Sequence, residues 1–330
     1  MSETFDSFIE AGDQDLSREN SIKKAVKSPF GYFGSKQRLA FHIAKLLPPH
    51  SAWVEAFCGS AAVTMAKKPA EIEVINDVDQ KIVNVFRQLR EHPDELIRLI
   101  ELTPYSRSEF EDVYKRKTGC SDLEQARRFL VASMMTVNGA IGSNGTGVKH
   151  SGFSYSQAYS RNGQEARVSR WNALPDRLAA VVQRLKHVRI ERRDARELLK
   201  MFIKRPATLV YLDPPYLMDR SHGYSIDANE NAFHEELLEL CIKANCMVLI
   251  SGYSNPLYKS YLSKRDGWEQ TVIKTQTRDT KGRDFARTEV LWYNQPFAKT
   301  SMTGQIPIRF TKSEKENHKI NPTRGRTSSK

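Results

Sequence analysis

The residues with the clearest chemical potential are Asp213-Pro214-Pro215-Tyr216, which directly follow the apolar run Thr208 to Leu212. An exocyclic amine conjugated with its ring is a poor nucleophile. To be methylated, its nitrogen lone pair must be drawn out of conjugation and aimed at a methyl sulfonium. The Asp213 carboxylate and the Pro214 carbonyl can both accept hydrogens from such an amine, favouring a tetrahedral nitrogen as positive charge develops. Two prolines fix φ and hold these acceptors in place, and Tyr216 offers a face on which an extruded base could stack. Asp and Pro also favour ordinary surface turns. A five-residue buried run immediately before the turn argues against that reading.

In open α/β sheets, ligands sit beyond the carboxyl ends of the strands. Polar residues that end apolar runs are therefore candidates, and three more such points exist: Glu55 to Gly59, Asp77 and Asp194. Gly59, with Ser60, Ala61 and Ala62, would let backbone approach a ligand closely, and Asp77 could accept hydrogen bonds from a ribose. No complete GxGxxG fingerprint is present, which disfavours a dinucleotide whose pyrophosphate needs a helix N-terminus. An adenosyl cofactor without phosphates fits better. Taken alone, this segment could equally be a strand, turn and helix with one packing glycine. Asp194 could bind the exocyclic amine of a cofactor adenine, or simply cap the helix that follows it.

The elements that must position these residues follow from periodicity. A glycine-punctuated loop, Pro29 to Lys36, leads into a helix over Gln37 to Leu47. Ala52 to Phe57 reads as a strand, Ala61 to Lys67 as the start of a helix, Ile72 to Ile75 as a second strand and Gln80 to Arg90 as a helix. From about Glu91 to His187 the pattern changes to arginine-rich helices around a Gly/Asn-rich loop, Asn138 to Gly147. Alternation resumes with strands at Val188 to Arg192 and Thr208 to Leu212, each followed by a helix. Strands at Met247 to Ser251, Trp268 to Thr275 and Glu289 to Tyr293 complete a sheet. The expected fold is α/β, a Rossmann-like sheet with an inserted, mostly helical unit.

With 39% hydrophobic and 27% charged residues the composition is that of a globular protein, and no apolar run approaches the roughly 18 residues of a membrane span. Met1 to Asn20 is polar and acidic, unlike a secretory signal, so a cytoplasmic location is expected. Four cysteines without CxxC spacing and eight histidines without HExxH suggest reduced thiols and no metal. The net charge of +12 points to a polyanionic partner. The last twenty residues, with six basic and two acidic groups, contribute +4 of it and read as a disordered tail.

These motifs together resemble the D12-class, Dam-like family of adenine-N6-specific DNA methyltransferases over about Pro29 to Asn294. Its aromatic-x-Gly-x-Lys loop matches Tyr32-Phe33-Gly34-Ser35-Lys36, its glycine motif Val54 to Ser60, and its second-strand acid Asn76-Asp77. The tetrapeptide and Arg287-Thr288-Glu289-Val290-Leu291-Trp292 also fit. Ala61 stands where the family commonly has a second glycine. The resemblance implies S-adenosyl-L-methionine as methyl donor, with Tyr32, Lys36, Glu55, Phe57, Gly59, Asp77, Asp194 and Asp213 at the cofactor, and Asp213, Pro214, Pro215 and Tyr216 catalytic. It divides the chain into a leader (1–28), a catalytic domain (29–90 and 188–298), an inserted target-recognition domain (91–187) and a basic tail (299–330). Double-stranded DNA is the implied partner, a cognate restriction endonuclease a candidate one, and the expected state is a monomer or weak dimer.

In the insertion, Arg107, Lys115, Arg116, Lys117, Arg127, Arg128, Lys149, Arg161, Arg167 and Arg170 mix with Tyr105, Tyr155, Tyr159 and Trp171. Phosphate contacts and a few base contacts would come from this set, and Ser151 to Tyr155 is the segment expected to approach a groove. Two rivals share the motif. One methylates another planar amine, an RNA adenine or a glutamine amide, although those groups more often carry Asn in the first position. The other is an inactive fold that only binds DNA.

Overall fold

The computed structural model describes residues 26–31, 35–115, 119–137, 152–157, 160–161, 163–217, 231–278 and 284–307, with backbone alone at 161, 274–278 and 284–287. Tyr32, the Gly/Asn loop and the last 23 residues of the tail (308–330) lie outside these residues, as do most of the leader, Lys117, Lys149 and Tyr159.

A seven-stranded sheet forms the centre. Its strands are β1 (Ala52–Glu55), β2 (Ile72–Asn76), β5 (Val188–Glu191), β6 (Thr208–Leu212), β7 (Met247–Gly252), β8 (Glu269–Arg278) and β9 (Asp284–Tyr293), in the order β5-β2-β1-β6-β7-β9-β8. Two further strands, β3 (Ser160–Arg161) and β4 (Gln164–Glu165), pair antiparallel in a small hairpin apart from it. The first five positions of the large sheet are parallel, while β9 runs antiparallel to β7 and to β8. Every residue of β1, β6 and β7 is buried, as expected of central parallel strands covered on both faces.

Side chains alternate cleanly between those faces. Val54, Val74, Val210, Leu212, Val248 and Ile250 pack against α9 (Ala195–Phe202) and α10 (Asn231–Ile242). Trp53, Leu209, Tyr211, Met247 and Leu249 face α1 (Ala40–Leu46), α2 (Ala62–Ala66) and α12 (Gln295–Thr303). Each fully enclosed aliphatic side chain contributes roughly 1.5–3 kcal/mol.

Between β2 and β5 lie α3 (Gln80–Glu91), α4 (Pro93–Glu101), α5 (Arg107–Asp112), α6 (Asp122–Met135), α7 (Ala166–Asn172) and α8 (Leu174–Leu185). Asp79 starts α3 by accepting the Lys81 amide at 2.8 Å. Ser106 and Ser121 cap α5 and α6 in the same way. These helices share one apolar core with the sheet: Ile75, Ile82, Phe86, Leu130, Leu178 and Val188 belong to a single cluster. The helical segment is thus packed directly onto the sheet through α3 and α8. Between β7 and β8, α11 (Pro256–Tyr261) packs against α10 through Tyr258. No helix among the described residues is long and apolar enough to cross a membrane.

Candidate active site

The chain leaves β1 toward β2 and β5 on one side and later continues from β6 to β7 on the other. Strand order therefore reverses between the adjacent strands β1 and β6, and a crevice must open beyond their carboxyl ends. Glu55 ends β1 and Asp213 follows β6, so two acids flank that crevice.

Around Asp213 the hydrogen bonding is lopsided. Its Oδ1 faces the Lys36 ammonium at 2.7 Å, accepts the Ser251 hydroxyl at 2.8 Å and lies 3.3 Å from the Tyr216 hydroxyl. Its Oδ2 has no hydrogen-bond donor among the described residues. Pro214 and Pro215 are buried and pin the carboxylate in this pose. The turn thus presents one saturated oxygen and one free one.

Lys36 is 8% exposed, and its ammonium also donates to the Tyr216 hydroxyl at 2.6 Å and lies 3.5 Å from Glu289 Oε1. Tyr216 in turn donates to Glu289 at 2.6 Å. Burial alone would lower the Lys36 pKa, but the Asp213 and Glu289 carboxylates outweigh it and the net shift is upward, so Lys36 stays charged. Burial pushes Glu289 upward against the opposing pull of Lys36, and it drives the Tyr216 phenol well above its usual range. The Tyr216 ring packs on Tyr253 with centroids 4.4 Å apart.

At the end of β1, Glu55 accepts the Thr64 amide at 2.9 Å and the Thr64 hydroxyl, with burial raising its pKa to about 7. Beside it, Asp77 Oδ2 accepts the Gly59 amide at 2.9 Å and Oδ1 the Asp79 amide at 3.0 Å; burial raises its pKa to about 6. Asp77 thereby shapes the turn between β1 and α2. Gly59 (φ 47°) and Ala61 (φ 52°) both adopt the left-handed conformation there. Among the described residues Ala61 is the one non-glycine residue with positive φ, a conformation that costs an ordinary residue about 1–2 kcal/mol. The backbone keeps a glycine's shape at this position without a glycine.

The fold brings Lys36, Asp213 and Tyr216 into direct contact and sets Glu55 close enough to feel the Asp213 charge. Gly59 and Asp77 meet in the neighbouring turn. Phe57 lies aside, edge-on to Phe233 at 6.2 Å. Asp194 caps α9 by accepting the Arg196 amide at 2.8 Å, and both its oxygens are gripped by the Arg196 guanidinium at 3.0 and 2.7 Å. Three contributors escaped the sequence reading as site residues: Glu289, Ser251 and Tyr253. A carboxylate directly before the apolar run Val290 to Tyr293 was the available signal for Glu289, and the polar end of the run Met247 to Ile250 the signal for Ser251; Tyr253 has none. Among the described residues no group of His, Cys, Asp and Glu could hold a metal ion.

Asp213 and Glu289 share the Lys36 ammonium, Glu55 lies near enough to feel the Asp213 charge, and Asp77 shapes the neighbouring glycine-bearing turn. The chain is 24% identical over 243 residues (68% of this chain, 80% of the relative) to the type II methyltransferase M1.LlaDCHI of Lactococcus lactis subsp. cremoris. It is 35% identical over 86 residues to the modification methylase StsI of Streptococcus sanguinis, a match covering 26% of this chain and 13% of that protein. An rRNA methylase structure from Streptococcus thermophilus superposes with a TM-score of 0.33 at 9% identity, covering 79% of this chain and 96% of that one. The model of the D12 class of N6 adenine-specific DNA methyltransferases matches residues 32–279. This chain belongs to the D12 class of N6 adenine-specific DNA methyltransferases.

Proposed function

We propose that the crevice between β1 and β6 methylates the N6 amine of an adenine flipped out of duplex DNA, with Asp213 Oδ2 as the acceptor that draws out the amine. The observation that carries this reading is the asymmetry at Asp213: Lys36, Ser251 and Tyr216 all crowd Oδ1, leaving Oδ2 free. A carboxylate immobilised through one oxygen offers the other without reorganisation when the amine arrives. The Pro214 carbonyl supplies the second acceptor. Tyr216 and Tyr253 form an aromatic wall against which the base plane rests.

S-adenosyl-L-methionine, when bound, supplies an electrophilic methyl group. Around it, Glu55, Asp213 and Glu289 offset the sulfonium charge, Asp77 and the turn at Gly59 and Ala61 hold the nucleoside, and Phe57 lines its edge. Tyr32 belongs with this set by its place in the Lys36 loop. Asp194 adds to it only through whatever acceptor capacity Arg196 leaves it. As methyl transfer makes the nitrogen cationic, Asp213 Oδ2 stabilises the charge and receives the proton the nitrogen sheds. The helices between β2 and β5 would contact the DNA, and a cognate endonuclease would share its target.

Tritiated methyl transfer tests this reading. Purified protein should label duplex DNA, with the label recovered as N6-methyl-2′-deoxyadenosine after digestion, and Asp213→Ala should abolish it with the fold retained. Label entering RNA or a protein glutamine, but not duplex DNA, would overturn it.

A further inference from the structure

Most arginines of the helical segment are occupied. Arg127 binds Glu124 at 2.7 Å and Glu109 at 2.9 Å, Arg128 donates to the carbonyls of Asp112, Val113 and Lys115, and Arg184 grips Glu73. Arg167, Arg170 and Arg177, like the exposed Arg98, have neither an ion pair nor a guanidinium hydrogen bond to an oxygen among the described residues. We propose that Arg170 and Arg177 form a clamp for a backbone phosphate of the bound DNA, beside Gly31 at the start of the segment that leads to Lys36.

Arg177 is the base of the clamp. It is half-buried on α8, its Nε is enclosed without a hydrogen-bond partner, and its Nη2 reaches only the Met134 sulfur at 3.7 Å, a weak acceptor. Arg170, seven residues earlier near the end of α7, adds its charge from the solvent side. Burial first, then the Arg170 charge, lower the Arg177 pKa to about 10; burial and then Arg167 lower that of Arg170. A guanidinium that loses hydration and faces another positive charge works against folding. An anion between them reverses the sign of both effects, and planar guanidinium forks match phosphate oxygens in pairs.

The location fits DNA held for the reaction. Arg170 Nη2 stands 3.5 Å from where a Cβ on Gly31 would be, and Ser133 donates to the Gly31 carbonyl, anchoring that loop to α6. Gly31 to Lys36 is at most about 18 Å of chain. With one phosphate per roughly 3.4 Å of rise along a strand, the clamp falls within about five nucleotides of the reacting base. The inference rests on the reading of the protein as a DNA methyltransferase.

The test uses the full-length protein, a fluorescein-labelled random-sequence duplex of about 24 base pairs, and anisotropy titrations between about 50 and 200 mM KCl. Arg177→Met and Arg170→Gln should each weaken binding roughly three- to ten-fold and flatten the slope of log affinity against log salt by about 0.9. Arg177→Met should melt at or above the wild-type temperature, because it removes an unpaired charge. Arg127→Met, the control, should melt lower yet keep the wild-type slope. An unchanged slope in both clamp variants overturns the proposal, and so does a lower melting temperature of Arg177→Met, which would make the residue structural. Inorganic phosphate that stabilises wild type but not Arg177→Met, with DNA affinity unchanged in that variant, also overturns it in favour of a free-anion site. Failure of the wild type itself to bind duplex DNA would instead sink the reading beneath it.

Discussion

The Lys36 ammonium stands 2.7 Å from Asp213 Oδ1, joining the loop before α1 to the turn after β6. Both side chains are largely shielded, at 8% and 16% exposure, so the pair is worth far more to the site's geometry than a surface ion pair would be. It aims Asp213 by occupying the oxygen that substrate does not need.

Replacing Asp213 by Asn keeps the shape of the turn while removing the charge opposite Lys36. Methyl transfer should fall by about 10²–10³ in kcat, the range seen when one charge-stabilising group is lost. Single-turnover transfer with saturating duplex would measure it. A variant within ten-fold of wild type would show that Asp213 is not the amine acceptor.

Glu289 holds the Tyr216 hydroxyl and faces Lys36. Because burial raises its pKa, the rate should climb with pH as Glu289 ionises, above the ordinary carboxylate range. Glu289→Gln should lower kcat by about ten-fold and flatten that acid limb. An acid limb that survives the substitution would assign it to another group.

Glu55 predicts a pH-dependent stability. Its pKa is about 7 folded and near the usual 4.5 unfolded, so between these values the folded state binds more protons and stability falls as pH rises. The loss amounts to about 3 kcal/mol above pH 7. Asp77 acts with the same sign between 3.8 and about 6. Thermal melts from pH 5 to 8 should therefore show Glu55→Gln more stable than wild type at pH 8, and the two converging toward pH 5. Parallel curves would refute the assignment.

Ala61 tests the glycine turn. In Ala61→Gly, relief of about 1–2 kcal/mol of left-handed strain is offset by greater freedom of the unfolded chain and by loss of a fully buried methyl. The melting temperature should stay within about 2 °C of wild type. Ala61→Val, β-branched and enclosed, should lower it sharply and weaken cofactor binding measured by calorimetry. Equal melting temperatures for the two variants would mean that the turn is not constrained.

Strands β1, β2, β6 and β7 were legible to within two residues because each is a short, mostly apolar run ended by polar residues, and β5 because Val188 and Ile190 alternate with polar residues, both local signals. The strand reading from Glu289 fell short: β9 begins at Asp284, in a polar stretch that owes its strand state to ten register pairs with β8. The helix read over Gln37 to Leu47 is a single 3₁₀ turn at Lys36–Arg38 followed by α1. The segment 91–187 stands out in sequence by its change of composition, and the sharing of one apolar core by its helices α4, α6 and α8 with α3 and Ile75 is visible only in the folded chain.

By itself the sequence determined the reaction chemistry and the parallel part of the sheet. An aspartate and two prolines after a buried strand constrain what can be done there, and periodic burial is written residue by residue. Tertiary structure alone decided which oxygen of Asp213 is free, that Glu289 and Ser251 join the site, and which arginines lack partners. Those facts are separations of about 3 Å between residues far apart in the chain, set by the pairing of β6, β7 and β9 and by helix packing. No local pattern encodes such distances, because they exist only once the long-range contacts have formed.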